Sequence, residues 1–295
     1  MTESAIKNSP LVSVIINCFN GEKYLQEAVD SVLSQTYTNW EIIFWNNQST
    51  DSSAEIINSY KDSRIKYYYA PRHTKLYEAR NLAIAQANGE LFAFLDCDDF
   101  WYVDKLIKQV KLFKDNEVGF TYTNLHIKNE NTGSLKKCFK KLESGYIYEK
   151  LIRKYNASFS TVIISKKFWS KMPAKFNKNY SIIGDYDFVL RLSKICKASS
   201  IIEPLSYYRI HTSNESKNRK QTNHELEDWL NRNAEILGDN STFVYQRVIM
   251  NKCIMSILSN NYVNLIKLIW KLNFLGIMKV LLLSIIPLAI LKKRY

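Results

Sequence analysis

Short apolar runs and helically spaced apolar positions alternate along the chain as far as Phe113. Leu11–Asn17 (LVSVIIN) is a short β-rich apolar run, suited to a strand buried on both faces. It ends at the turn signal Asn20-Gly21, after which Tyr24, Leu25, Ala28, Val29, Val32 and Leu33 recur with helical spacing. Glu41–Trp45 reads as a second strand, and Ser49 or Asp51 is placed to cap a helix carrying Ile56 and Ile57. Arg64–Tyr69 makes a third strand. Leu76–Ala87 is a helix closed by Asn88-Gly89, where glycine suits a C-terminal cap. Leu91–Leu95 is a fourth strand and runs straight into Asp96-Cys97-Asp98-Asp99. Val103, Leu106, Ile107, Val110 and Phe113 mark one more helix, expected to open at Trp101.

This alternation predicts an α/β protein with a doubly wound, mostly parallel sheet. Such sheets bind ligands outside the carboxyl ends of their strands, where Asn17, Asn46-Asn47 and the acidic cluster all fall. After Gly119 the pattern loses regularity. Asn129–Leu142 is polar and lysine-rich, as in a hairpin or mobile loop, Thr161–Ser165 reads as a strand, and Tyr186–Ile195 as a helix with Asp185 at its start. From Asn223 onward the chain reads as helical. The expected organisation is one α/β domain over residues 1–220 and a helical C-terminal region over 221–295.

Composition sharpens this. With 46% hydrophobic and 13% aromatic residues there is little room for disorder. The net charge of +13 points to anionic partners: nucleic acid, phosphorylated small molecules or acidic lipid. Nucleic acid is disfavoured, because the aromatics are not interleaved with a basic stripe. Five dispersed cysteines read as reduced thiols in a cytosol, and the polar stretch Met1–Pro10 gives no secretory signal.

The sharpest chemistry lies in the acidic cluster. Three carboxylates within four positions repel one another and fit a hard cation, Mg²⁺ or Mn²⁺, bound together with diphosphate oxygens. A helix cap before Trp101 would account for Asp99 but not for the other two.

Together, VSVIINCFNGEKYLQEAVDSVLSQTYTNWEII, NNQSTD, EARNLAIAQANGELFAFLDCDD and GDYDFVLRL resemble glycosyltransferase family 2, in order, over about Pro10–Ser216. The resemblance implies a GT-A fold, an inverting reaction and a nucleotide-sugar donor held by a divalent cation. It implies that Asp98 binds the metal directly, that Asp96 lies near the ribose or a metal-bound water, and that Asp99 stands behind them. The catalytic base falls on Asp185, with Asp187 the fallback and Gly184 replacing the acidic residue usual before the base. Asn17, Phe19 and Asn47 fall at positions lining the nucleoside base, with Asn46-Asn47 in place of the Asp-Asp common in relatives. An asparagine can accept from a pyrimidine N–H and donate to a ring carbonyl, so UDP or dTDP is the favoured donor. Arg80 falls near the nucleotide, and His211 where some relatives bring a histidine to the metal or diphosphate. His73 and Lys75 are assigned to the diphosphate by charge and position alone. Arg191, four residues after Asp187, is expected to pair with it.

The tail from Tyr262 to Leu291 is strongly apolar, punctuated by Lys267, Lys271 and Lys279, broken at Pro287 and closed by Lys292-Lys293-Arg294. Its longest uncharged stretch, Val280–Leu291, is short of the ~20 residues a spanning helix needs. A basic amphipathic segment on an anionic membrane surface fits better. The expectation is therefore a cytoplasmic enzyme, peripheral on the inner face of the plasma membrane. Its acceptor would be a glycan or a lipid-linked sugar of surface polysaccharide or lipopolysaccharide synthesis. A non-catalytic scaffold of the same fold, a nucleotidyltransferase and a homo-oligomer stay open as alternatives.

Overall fold

The computed structural model describes residues 9–130, 132–212, 214 and 217–285. The chain divides into two compact units. One runs to Leu151 and resumes over Tyr155–His211; the other joins Ile152–Lys154 to the chain from Thr212 onward.

The first unit is built on one nine-stranded sheet. Its strands are β1 (Val12–Cys18), β2 (Trp40–Asn46), β3 (Ile65–Tyr69), β4 (Leu91–Phe94), β5 (Phe100–Trp101), β6 (Val118–Asn129), β7 (Leu135–Lys137), β8 (Ile163–Ser165) and β9 (Lys197–Ile210). The helices up to the end of this unit are α1 (Glu22–Leu33), α2 (Ser53–Ser59), α3 (Leu76–Ile84), α4 (Lys105–Val110), α5 (Tyr148–Arg153), α6 (Lys166–Lys171) and α7 (Gly184–Ser193). Strand order is β3-β2-β1-β4-β8-β6-β9-β5, with β7 added to β6. The strands β3, β2, β1 and β4 run parallel, β8 runs antiparallel to β4 and β6, and β6 returns parallel to β9. Alternate residues of β1 (Val12, Val14, Ile16 and Cys18) are buried with Leu25, Ala28, Val29 and Val32 of α1. That is the pairing of period-two and period-3.6 patterns that the apolar spacing requires.

Two expectations are corrected. The helix placed at Trp101 begins at Lys105 with Asp104 at its N-cap. Phe100 and Trp101 instead pair antiparallel with Tyr207 and Ser206, and the Trp101 indole donates to the Ser160 carbonyl at 2.9 Å. The irregular pattern after Gly119 hides two long strands, β6 and β9, paired through several register shifts. The lysine-rich stretch forms a hairpin, with His126 opposite Lys137 and Lys128 opposite Leu135.

The second unit contains α8 (Arg219–Leu237), α9 (Ser241–Leu258), α10 (Tyr262–Ile269) and α11 (Phe274–Ile285). Its core joins Ile249, Cys253 and Ile257 to Leu265, Leu268, Val280 and Leu283. Among the described residues no helix is long and apolar enough to cross a membrane. Pro287, the end of the uncharged stretch and Lys292-Lys293-Arg294 lie outside the described residues.

Candidate active site

Three loops meet at the carboxyl ends of β1, β2 and β4. The first turns at Asn20, whose φ of 53° is left-handed, and at Gly21. A Cβ on Gly21 would lie 2.8 Å from the Cys18 sulfur and 2.9 Å from that of Cys97, so the acidic loop and the start of α1 close on each other over a glycine. The second loop is stitched to the first: Gly21 N–H donates to Ser53 Oγ at 3.0 Å, and Glu22 N–H to Asp51 Oδ2 at 2.9 Å.

Asn47 is buried in this second loop. Its side chain donates to the Thr74 carbonyl at 2.7 Å and accepts from the Thr74 N–H and hydroxyl, both at 3.2 Å. His73 Nδ1 lies 2.9 Å from the Asn47 carbonyl, and the exposed Phe19 ring meets the His73 ring edge-on at 4.4 Å. The Lys75 ammonium donates to the Asn179 carbonyl at 2.9 Å. Asn17 differs from these: both polar atoms of its side chain are buried and have no hydrogen-bond partner among the described residues. Leaving such a group unsatisfied costs about 1–3 kcal/mol, so a ligand or ordered water belongs beside it.

The acidic loop sorts its three carboxylates by partner. Asp96 accepts from the buried Arg80 guanidinium at 2.5 Å. The Asp98 carboxylate lies 2.9 Å from Nε2 of His211. Asp99 is fully buried and accepts from the Ser160 hydroxyl at 2.5 Å and the Arg209 backbone N–H at 3.0 Å. Burial first, and then the charge of Asp96, pushes the Asp98 carboxyl up; His211 opposes this. Burial followed by Asp98 and Asp96 pushes Asp99 up further. Carboxyls held this way favour a positive charge placed among them.

Asp185 sits in the first turn of α7, whose N-cap is Ile183. Its carboxylate accepts from the Tyr77 hydroxyl at 2.9 Å, and the Tyr155 hydroxyl lies 3.5 Å away. Burial pushes the Asp185 carboxyl up, while Arg80 and the Tyr77 hydroxyl hold it down. Since the Arg80 guanidinium also lies over the Tyr77 ring at 5.1 Å, a continuous path runs from Asp96 through Arg80 and Tyr77 to Asp185. Asp187 is engaged elsewhere, paired with Arg191 at 2.7 Å as its spacing predicts.

The description Glycosyl transferase family 2 matches residues 13–172, more than half of the chain. The chain belongs to this family. A relative from Escherichia coli, "UDP-Glc:alpha-D-GlcNAc-diphosphoundecaprenol beta-1,3-glucosyltransferase WfaP", is 33% identical over 214 residues, 71% of this chain and 81% of its own. The crystal structure of S. aureus TarS 1–349 in complex with UDP-GlcNAc superposes with a TM-score of 0.66 at 17% identity, covering 81% of this chain and 72% of that one. "Mannosyltransferase PcManGT from Pyrobaculum calidifontis in complex with GDP-Man and Mn2+" superposes at 0.58 with 15% identity, over 79% and 65% of the two chains. The fold is GT-A, and the protein is a glycosyltransferase.

Three parts of this glycosyltransferase's candidate site are not signalled in its sequence. Arg209 of β9 is a buried cation fastening the acidic loop from behind: its Nε donates to the Asp98 carbonyl at 2.9 Å and its N–H to Asp99. Its guanidinium pairs with Glu130 at 2.9 Å and with Glu27, lying over the Tyr24 ring at 4.6 Å. The Tyr24 hydroxyl, with help from Arg209, holds the Glu130 carboxyl down at about 2. Ser160 bridges Asp96 and Asp99, at 3.3 and 2.5 Å. Tyr77 takes the space an acidic side chain before Asp185 would need. A Cβ on Gly184 would fall 2.4–2.7 Å from its ring carbons.

Proposed function

We propose that this glycosyltransferase is inverting and divalent-metal-dependent, and moves a sugar from UDP or dTDP to a hydroxyl of a glycan or lipid-linked acceptor. Its setting is surface polysaccharide or lipopolysaccharide synthesis, with the protein peripheral on the cytoplasmic face of the plasma membrane. The observation that carries the reading is the linked pair of charge centres. Asp98 faces His211 at one end, and Asp185 stands at the other, joined through Asp96, Arg80 and Tyr77.

The first centre fits a cation. A carboxylate and an imidazole converge within 2.9 Å. Among the described residues no third His, Cys, Asp or Glu completes a cage, which leaves coordination positions for diphosphate oxygens. Bound there, Mn²⁺ or Mg²⁺ supplies positive charge against the departing diphosphate. Arg80, buried and fixed on Asp96, holds a second positive charge beside the nucleotide. Asn17 offers its unpaired amide to the base or ribose, and Phe19 an exposed ring to stack on.

Asp185 accepts the acceptor hydroxyl's proton as that oxygen bonds to the anomeric carbon. The carbon–oxygen bond to the diphosphate breaks on the opposite side, and its electron pair leaves with the diphosphate, inverting the centre. A carboxyl raised by burial is a stronger base than an exposed one. The E. coli relative's name, with a uridine donor and a lipid-diphosphate acceptor, supports the substrate classes. TarS with UDP-GlcNAc supports a uridine donor, and PcManGT with Mn²⁺ supports the metal.

Calorimetric titration of UDP, dTDP and GDP, with Mn²⁺ and with EDTA, tests this. One pyrimidine diphosphate should bind only with the metal, and Asp98→Ala should abolish that binding. Binding indifferent to EDTA would refute the metal site. No binding under any condition would favour a non-catalytic scaffold of the same fold.

A further inference from the structure

The helices α10 and α11 each carry two apolar faces. One is spent on the core of their own unit, through Leu265 and Leu268 on α10 and Val280 and Leu283 on α11. The other faces water. Tyr262, Ile266 and Trp270 follow one another at steps of four, and Phe274, Met278 and Leu282 do the same on α11. Trp270 is 82% exposed and Phe274 75%. Of the twenty exposed large apolar side chains among the described residues, nine fall between Tyr262 and Leu282. Scattered singly they would call for no explanation; concentrated on consecutive helices they mark a surface built to be covered.

Charge selects what covers it. Eight lysines and arginines follow Asp239 in the sequence, and no aspartate or glutamate does. Lys267, Lys271 and Lys279 are exposed on the two helices themselves or the turn between them. A second copy docked face to face would set these lysines against each other with no carboxylate to pair them. A layer of anionic headgroups over an apolar interior answers both features at once. Depth is limited by length. At a rise of ~1.5 Å per residue, the 8 residues of α10 and 12 of α11 reach about 12 and 18 Å, short of the ~30 Å hydrocarbon core.

We infer that the exposed faces of α10 and α11 form a monotopic insertion surface for an anionic lipid bilayer. Trp270 and Phe274 are its apolar anchors, and Lys267, Lys271 and Lys279 meet the headgroups. The inference deepens the peripheral-membrane part of the function proposed above and rests on that reading for its purpose.

The test uses the full chain, sedimented with vesicles of phosphatidylglycerol and phosphatidylcholine or of phosphatidylcholine alone. Wild type should bind the anionic vesicles. The double variant Trp270→Ala/Phe274→Ala and the triple variant Lys267→Gln/Lys271→Gln/Lys279→Gln should each bind about tenfold more weakly or worse. Their melting temperatures should hold, since the replaced side chains are exposed. Transfer to a short-chain, water-soluble acceptor should also be unchanged. Vesicle binding that neither variant weakens overturns the surface. So does a wild-type dimer that Trp270→Ala/Phe274→Ala dissociates while vesicle binding persists. Lipid binding lost in the variants, with no transferase activity in any form, would keep the surface and refute the proposed reaction alone.

Discussion

Asp185 works in a setting that its neighbours in sequence do not reveal. The family resemblance implies an acidic residue before the proposed base, and Gly184 stands there instead. The Tyr77 ring fills the vacated space and turns its hydroxyl onto the Asp185 carboxylate at 2.9 Å. A side chain on α3 thus occupies the space beside the glycine on α7. The Tyr77 hydrogen bond stabilises the ionised Asp185 carboxylate against a burial effect that opposes ionisation. Tyr77→Phe keeps the ring and removes the donor, so the Asp185 carboxyl moves further up. As the proposed base, Asp185 must be deprotonated to act, so the acidic limb of the kcat/KM profile should shift to higher pH. At the acidic end activity should fall on the order of tenfold, as expected for losing a hydrogen bond to a charged group. The limb staying in place would mean that Asp185 is not the titrating base. Little of this was legible in advance. Three carboxylates directly after a buried strand announce themselves, whereas Tyr77, Ser160 and Arg209 are unremarkable in sequence and act only through partners far along the chain.

At the scale of elements, α4 carries an unusual load. Its first residue, Lys105, is fully buried, its ammonium has no hydrogen-bond partner among the described residues, and it lies 4.1 Å from the Trp101 ring centre. Burial pushes its pKa well below the usual lysine range. The unfolded chain therefore holds a proton more readily than the folded one. The stability cost is present at neutral pH and vanishes once pH rises above the unfolded lysine's pKa. Lys105→Met keeps the stem and removes the amine, so it should stabilise by about 1–3 kcal/mol at pH 7. That gain, followed by thermal melting, should shrink toward pH 10. A destabilised variant would show that the cation–π contact outweighs desolvation. The same logic explains which elements were readable. Strands β1, β2 and β4 are buried along nearly their whole length and are mostly apolar, with the buried Ser13 of β1 donating to Glu41 of β2. The interior positions of β6 include Thr121 and Asn124, equally buried but satisfied from a distance. Gln109 donates to Thr121 at 2.9 Å, and Asn124 reaches the Phe139 carbonyl at 2.6 Å. A polar residue whose partner lies across the fold looks like a loop residue until the fold is known.

Over the whole molecule, the net charge of +13 is unevenly spent. The cationic members of the candidate site's pairs are shielded: Arg80 and His211 are buried beside Asp96 and Asp98. The lysines of α10 and α11, and Lys271 between them, stand in water. Salt acts on these two populations differently. Between about 0.1 and 1 M salt the screening length falls from ~10 to ~3 Å, removing most attraction between exposed charges and a distant surface while sparing buried pairs. Raising NaCl across that range should therefore weaken binding to anionic vesicles at least tenfold. Affinity for the nucleoside diphosphate, measured in the same solutions, should change by only a factor of a few, because its charge is met inside the site. Equal losses in both assays would mean that the nucleotide is held by exposed lysines rather than by Arg80 and the acidic loop. Vesicle binding that resists salt would assign the bilayer contact to Trp270, Phe274 and their apolar neighbours, leaving the lysines to set orientation rather than affinity.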